Sequence, residues 1–561
     1  MTKLVKDAGA AMATAATAPV LDLRDLKVEV SNEGRWTTLV EDVDLTVGPG
    51  ETVGLVGESG SGKTITSLAV MRLLPANARL TGSVRLGGRE LVGLPDRELR
   101  RLRGGEMSMI FQEPRRSLNP AFSVGDQVAE SVRHHDRVDR KAAWSRAVEF
   151  FERVGIPDPA RRARDYPHQF SGGMCQRVML AMALACSPSL LIADEPTTAL
   201  DVTVQRQVLE LIRELQEELG LGVLLITHDL GVVAEVCDRA AVMYGGRVVE
   251  HATVVDLFDK PRDDYTSRLL GARELGEPPA APATDAESGD ALVVEGLRKD
   301  FVLQRNAFGR PKRVHHAVRG VDFSIRAGET LSVVGESGAG KSTVGRMVLR
   351  LVEPDAGRIE ILGQDIASLK GDDLRRMRAK ATMIFQDPYK SLDPKRQIVH
   401  ALAEPMLVQG GYSRSERSDR IAALMKRVGL GPRFLERYPY EMSGGQLQRV
   451  AIARALMTDP RIVVCDEPVA ALDMSIRAQV VELLRELQAE RGLAYLFVSH
   501  DLSLVRAISD RIVVMRQGEI VETGTPGRLY ESPEHTYTRQ LLSAIPATHP
   551  RGRTFRAVPA A

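Results

Sequence analysis

Gly57-Glu58-Ser59-Gly60-Ser61-Gly62-Lys63-Thr64 is a run whose residue types suit one task, the holding of phosphate. Glycines let successive backbone N–H groups turn toward one point, Lys63 brings a point charge to the outer phosphates, and the Thr64 hydroxyl can ligate Mg²⁺. Asp194 and Glu195 follow an apolar run. Asp194 stands where a carboxylate can hold magnesium opposite such a loop, and Glu195 is a candidate for orienting or deprotonating an attacking water. His228 closes the next apolar run and is placed to contact a γ-phosphate. Gln112, in Ile110-Phe111-Gln112-Glu113-Pro114, offers a neutral amide to magnesium or water without displacing charge.

The whole set occurs twice. Gly335-Glu336-Ser337-Gly338-Ala339-Gly340-Lys341-Ser342 repeats the loop, and Gln386, Asp466, Glu467 and His500 repeat the rest in the same order. The acidic pairs and the histidines share one offset between copies, and the loops differ from it by only a few residues. An entire domain is therefore duplicated. Between the glutamine and the acidic pair, each copy carries a serine-glycine-glycine motif, Ser171-Gly172-Gly173 and Ser443-Gly444-Gly445. Each serine suits the N-cap of a helix whose apolar face includes Val178 and Leu180, or Val450 and Ile452. The serine hydroxyl, the glycine N–H groups and the helix dipole together also make a second anion site, aimed at a phosphate bound elsewhere.

Short aliphatic runs must position these groups. Val53 to Val56 and Leu331 to Val334 precede the loops, Leu190 to Ala193 and Ile462 to Cys465 the acidic pairs, and Val223 to Thr227 and Tyr495 to Ser499 the histidines. Continuous runs of four to six apolar residues point to parallel strands buried on both faces, with the chemistry collected at their carboxyl ends. A helix should follow the first loop and end near Pro75. The expected class is α/β, arranged as two tandem units. The first spans 21–272 and the second 291–546, each with a short C-terminal extension. Residues 273–290, rich in proline, alanine and acid, read as a solvated linker, and 1–20 and 547–561 as disordered tails.

Length and composition agree. A chain of 561 residues exceeds what one core organises and divides into two domains of ordinary size. With 75 basic against 74 acidic residues, no global field favours nucleic acid or an anionic membrane. The basic cluster Arg97, Arg100, Arg101 and Arg103 has acids interspersed and reads as a solvated face. The four cysteines lack paired spacing, which argues against disulfides or a metal cluster and for a reducing cytoplasm. No apolar run has the length of a membrane helix, so a membrane role must come through partners.

These motifs resemble the ATP-binding cassette (ABC) ATPases, and the resemblance covers about 21–546. It implies two P-loop cassettes, each a mostly parallel sheet core with a β-subdomain and a helical subdomain bearing the serine-glycine signature, using ATP and Mg²⁺. In that family each nucleotide lies between the phosphate loop of one cassette and the signature of the other. One site would then join Gly57–Thr64 with Ser443–Gly445, and the other Gly335–Ser342 with Ser171–Gly173. ATP would favour closure of the pair and hydrolysis would remove that bias. Both copies keep their glutamate and histidine, so two hydrolytic sites are expected. Adenine usually stacks on an aromatic upstream of the loop. Trp36 is the candidate in the first half, whereas Phe301 and Phe308 stay open in the second.

A finer resemblance is to the oligopeptide and dipeptide importer ATPases. Their Phe-Gln-Asp-Pro…Ser-Leu-Asn-Pro loop is matched by Phe111–Pro120 and Phe385–Pro394, and their two signature types by Ser171–Met174 and Ser443–Gln446. Their C-terminal extension, His-Pro-Tyr-Thr followed by Leu-Leu, survives in altered form as Asp263-Asp264-Tyr265-Thr266 and His535-Thr536-Tyr537-Thr538. Some members bind an iron-sulfur cluster there through clustered cysteines. No cysteine lies beyond Cys465, so none is expected here. The resemblance implies the motor of a membrane importer, peripheral on the cytoplasmic face, with two permease subunits, an extracytoplasmic solute-binding protein and peptide cargo; glutathione or nickel chelates are the alternative solutes. The rival is a soluble translation factor of the ABC-F type, whose long charged helical linker is unlike the short proline-rich one here.

Overall fold

The computed structural model describes residues 18–32, 34–197, 200–271, 289–306, 308, 310–470 and 472–553. The chain forms two compact units: the first mainly from residues up to 271 together with those from 546 on, the second mainly from the residues between.

In the first unit a six-stranded sheet runs in the order Arg247–Thr253, Arg239–Tyr244, Thr52–Val56, Gly222–Thr227, Leu190–Asp194, Met107–Ile110. All its neighbours pair in parallel except the edge strand Arg247–Thr253. The second unit repeats it: Glu519–Gly524, Arg511–Arg516, Thr330–Val334, Ala494–Val498, Ile462–Asp466, Ala381–Ile384. Every residue of Thr52–Val56, Leu190–Asp194 and their counterparts is buried. Sheets covered on both faces demand such unbroken apolar strands.

Two layers supply that cover. In the second unit Leu331, Val333, Val464 and Leu496 face the helix after the loop, through Val344 and Met347, and a four-stranded antiparallel sheet, through Leu292, Val294 and Ile359. Val463, Tyr495 and Phe497 point to the other side, into one cluster with Leu402, Leu424 and Val450. These last belong to the helices Ile398–Gln409, Arg414–Arg427 and Gly444–Ala455. The first unit has the equivalent antiparallel sheet, from Leu21–Asn32, Arg35–Val47, Ala78–Leu86 and Arg89–Glu90, and the helices Val124–Asp136, Arg140–Arg153 and Gly172–Leu184. Side-chain caps start the helices where the chain must turn: Ser123 accepts from the Asp126 amide at 3.2 Å and Asp139 from the Ala142 amide at 2.7 Å.

The structure departs from the sequence reading at three places. The first loop's helix stops at Val70, short of Pro75, and Arg72 takes a left-handed φ of 54°. Val20, assigned to the N-terminal tail, is pinned in the fold: its amide donates to the Val47 carbonyl at 2.8 Å and its carbonyl accepts from Gly87 at 2.8 Å. The C-terminal stretch is ordered as far as 553. The Ala547 amide donates to Glu235 at 2.9 Å, His549 meets Asp259 at 2.9 Å, and Arg553 donates to the Ala234 carbonyl at 2.7 Å. Sequence spacing carries no sign of such partners some three hundred positions away. Residues 1–17, 273–288 and 554–561, within the expected tails and linker, lie outside the described residues.

Candidate functional site

Each phosphate loop sits between the carboxyl end of a buried strand and the start of a helix, Lys63–Val70 in one unit and Lys341–Val348 in the other. Gly57 has φ 154°, and a Cβ there would lie 2.2 Å from the Met243 carbonyl oxygen; at Gly335 the same distance separates it from that of Met515. Only glycine allows the loop this close to the neighbouring strand. Gly57→Ala or Gly335→Ala is therefore expected to destabilise its unit by about 1–3 kcal/mol and to weaken nucleotide binding there, measured by thermal unfolding and equilibrium binding. Lys63 donates to the carbonyls of Gly57 and Glu58 at 2.7 and 2.8 Å, and Lys341 to those of Gly335 and Glu336 at the same distances. Burial pulls the Lys341 amine below its usual range, opposed by the charges of Glu467 and Asp466.

The acidic pairs, glutamines and histidines come together. Asp194 ends its strand 2% exposed, and burial pushes its carboxyl up to about 6. Thr64 Oγ1 lies 3.5 Å from Asp194 Oδ1, and Ser342 Oγ 2.7 Å from Asp466 Oδ1. Glu195 and Glu467 turn off the strand ends with left-handed φ of 48° and 49°. Gln112 Nε2 donates to Glu195 Oε2 at 2.7 Å, and His228 Nδ1 lies 3.0 Å from Glu195 Oε1. The second unit matches within a tenth of an ångström, with Gln386–Glu467 at 2.6 Å and His500–Glu467 at 3.0 Å. Burial works against the charge on Glu467, yet hydrogen bonds and charge from His500, with Lys341 and Gln386, hold it below the usual carboxylate range.

Ser171 and Ser443 cap their helices, accepting from the Met174 amide at 3.3 Å and the Gln446 amide at 3.4 Å. A Cβ on Gly173 would fall 2.6 Å from Val204 Cγ1, and one on Gly445 2.6 Å from Ile476 Cγ2, whereas Gly172 and Gly444 have open space around them. Trp36 is 49% exposed, with the Arg79 guanidinium 4.8 Å above its ring. It stands three residues before Leu39, which lies against Gly62; in the second unit Ala317 lies against Gly340, so Val314, and neither Phe301 nor Phe308, occupies the matching strand position.

Sequence reasoning missed one participant. Tyr265 and Tyr537, on the C-terminal helices Asp264–Gly271 and Thr536–Ser543, accept hydrogen bonds from the loop amides of Glu58 and Glu336 at 3.1 and 2.9 Å. The signal was a tyrosine-threonine pair recurring at the offset of the acidic pairs.

Two phosphate loops, each beside a buried aspartate and a glutamate held by a glutamine and a histidine, give the chain two copies of one cassette site. The ABC transporter family matches residues 40–198 and 318–470, and the oligopeptide/dipeptide transporter C-terminal region matches 521–561. The chain belongs to the ABC transporter ATPases, and within them to the oligopeptide/dipeptide importer type. It is 46% identical over 564 residues to the glutathione import ATP-binding protein GsiA of Pectobacterium atrosepticum, covering 95% of this chain and 90% of that protein. GsiA of Escherichia coli strain K12 is 45% identical over 561 residues, with the same coverage.

Proposed function

We propose that this chain is the ATP-hydrolysing motor for two separate permease subunits, importing short peptides of the size and chemistry of glutathione. The observation that carries the motor reading is the pair of intact glutamate–histidine–glutamine clusters. Relatives named for glutathione import, together with the peptide-transporter C-terminal region, support the cargo class.

In each site the glutamate is the general base that orients and deprotonates water. Glutamine on one carboxylate oxygen and histidine on the other fix its rotation, so the base is preorganised. A ring carrying hydrogen on both nitrogens donates Nδ1–H to the glutamate and presents Nε2–H as the donor to a γ-phosphate oxygen. Thr64, Asp194 and Gln112, and Ser342, Asp466 and Gln386, offer the hard oxygen donors that Mg²⁺ takes. A buried carboxylate pushed up to about 6, as Asp194 is, gains from such a cation. Bound there, Mg²⁺ would supply Lewis-acid charge to the phosphate oxygens. Following the family resemblance, each nucleotide is completed by the signature of the opposite cassette. Hydrogen bonds to charged groups contribute about 1.5–3 kcal/mol each. A few of them therefore suffice for the roughly 5.5 kcal/mol that inverts a 1:99 equilibrium. Trp36 stacks adenine in the first site.

Among the described helices none is long and apolar enough to cross a membrane, so membrane work falls to the partners. The residues after Gln386 support docking of a permease segment: a groove of about 580 Å³, lined by Phe385, Met383, Pro405 and Val408 among others, opens beside them. In the basic cluster Arg100 pairs with Asp96 at 2.7 Å and Arg103 donates to the Met71 and Arg72 carbonyls, which supports reading that face as a solvated one. The test is to tag the chain, solubilise native membranes in mild detergent and identify co-purifying proteins, then assay uptake of labelled glutathione and dipeptides. Two polytopic permeases in equal amount, with uptake that depends on this chain, are the expected result. Ribosomal proteins without a permease would overturn it.

A further inference from the structure

We propose that Tyr265 and Tyr537 are positioning residues for the phosphate loops, through which each C-terminal extension sets the ATP affinity of its own cassette. The inference rests on the reading of these loops as ATP sites. Its core is one peptide bond. The peptide joining Gly57 to Glu58 donates its N–H to Tyr265 Oη at 3.1 Å, while its carbonyl oxygen accepts from Lys63 Nζ at 2.7 Å. In the second unit the peptide joining Gly335 to Glu336 is gripped the same way, by Tyr537 at 2.9 Å and Lys341 at 2.7 Å. Phosphate binding must draw the lysine toward the ligand. The tyrosine then still holds the other end of that peptide, keeping the loop in its phosphate-facing shape.

The tyrosines are themselves held. Tyr265 is 7% and Tyr537 3% exposed. The ring of Tyr244, at the end of the strand that crowds Gly57, lies 4.3 Å from that of Tyr265. At the matching position the Arg516 guanidinium lies 4.9 Å over Tyr537. Burial pushes the Tyr537 phenol up to about 12, so the hydroxyl is neutral at physiological pH.

Each helix is anchored to the edge strand by one glutamate. Glu250 accepts from the amides of Arg262 and Asp263 at 2.9 and 3.0 Å, and Glu522 from those of Glu534 and His535 at 2.8 and 3.1 Å. Asp263 and His535, different residues at equivalent places, both accept from the tyrosine's own amide, at 2.7 and 3.1 Å. The altered extension of the first unit thus keeps the geometry that delivers the hydroxyl. A force on the extension reaches the loop through edge-strand glutamate, turn, tyrosine and peptide.

A preorganised loop acts on binding more than on the chemical step. One hydrogen bond of ordinary strength corresponds to a change of roughly three- to tenfold. The test compares the full chain with Tyr265→Phe/Tyr537→Phe, which keeps both rings. The expected result is a three- to tenfold rise in the Kd and KM for ATP, with kcat at saturation within about twofold and faster hydrogen exchange of the loop amides. An unchanged KM, whether or not the melting temperature falls, would overturn the proposal and leave a packing role only. ATP binding by the parent chain is measured first: no binding there defeats the ATPase reading itself, whereas binding that the variant shares equally defeats the tyrosine assignment alone.

Discussion

Glu195→Gln combined with Glu467→Gln is expected to lower ATP turnover by about 10²- to 10⁴-fold, the range general-base catalysis supplies, while ATP affinity stays within about twofold. The substitution conserves volume in pockets where the two glutamate side chains are only 13% and 15% exposed. It removes the charge that we propose takes a proton from water and leaves the phosphate loops intact. Ten-thousandfold corresponds to about 5.5 kcal/mol of barrier. Closure favoured by ATP then has no hydrolysis to release it, so the double variant should retain nucleotide through desalting where the parent chain loses it. Single-turnover hydrolysis and nucleotide retention are the measurements. Unchanged turnover would remove these carboxylates from the mechanism.

Their place was legible because the information is local. An apolar run of four residues before Asp194 forms a strand wherever both sheet faces are covered, and a carboxylate at its end must face the same rim as a loop on the next strand but one. The second copy turned each weak motif into a strong one. Contacts between distant segments were not legible. Tyr265 and Glu58 are 207 positions apart, and no periodicity or spacing links a phenol to a loop amide. The turn after Val70 failed for another reason: apolar residues resume at Leu73 and Leu74 beyond Arg72, yet Arg72 leaves the helical region before Pro75 forces it to. The segment Ala547–Arg553 has the composition of a tail and is held by partners on another part of the chain, Glu235 and Asp259 among them.

The crosswise composition of the two sites, which we propose from the resemblance, makes a sharper demand than either motif alone. Gly172 and Gly444 open their signature helices with space around them, so Gly172→Asp and Gly444→Asp should fold. A carboxylate in a first helical turn is locally favourable but repels an arriving phosphate. Paired with Glu195→Gln, the two substitutions then part company. If the site of Glu195 is completed by Ser443–Gly445, Glu195→Gln/Gly444→Asp damages one site twice and should turn over ATP at the rate of Glu195→Gln alone. Glu195→Gln/Gly172→Asp damages both sites and should fall at least about tenfold lower, because lesions in a shared unit do not add while those in separate units do. Steady-state ATPase of the four chains decides it: the opposite ranking would mean that each cassette completes its own site, and equal rates in the two pairs would deny the signature glycines any contact with phosphate.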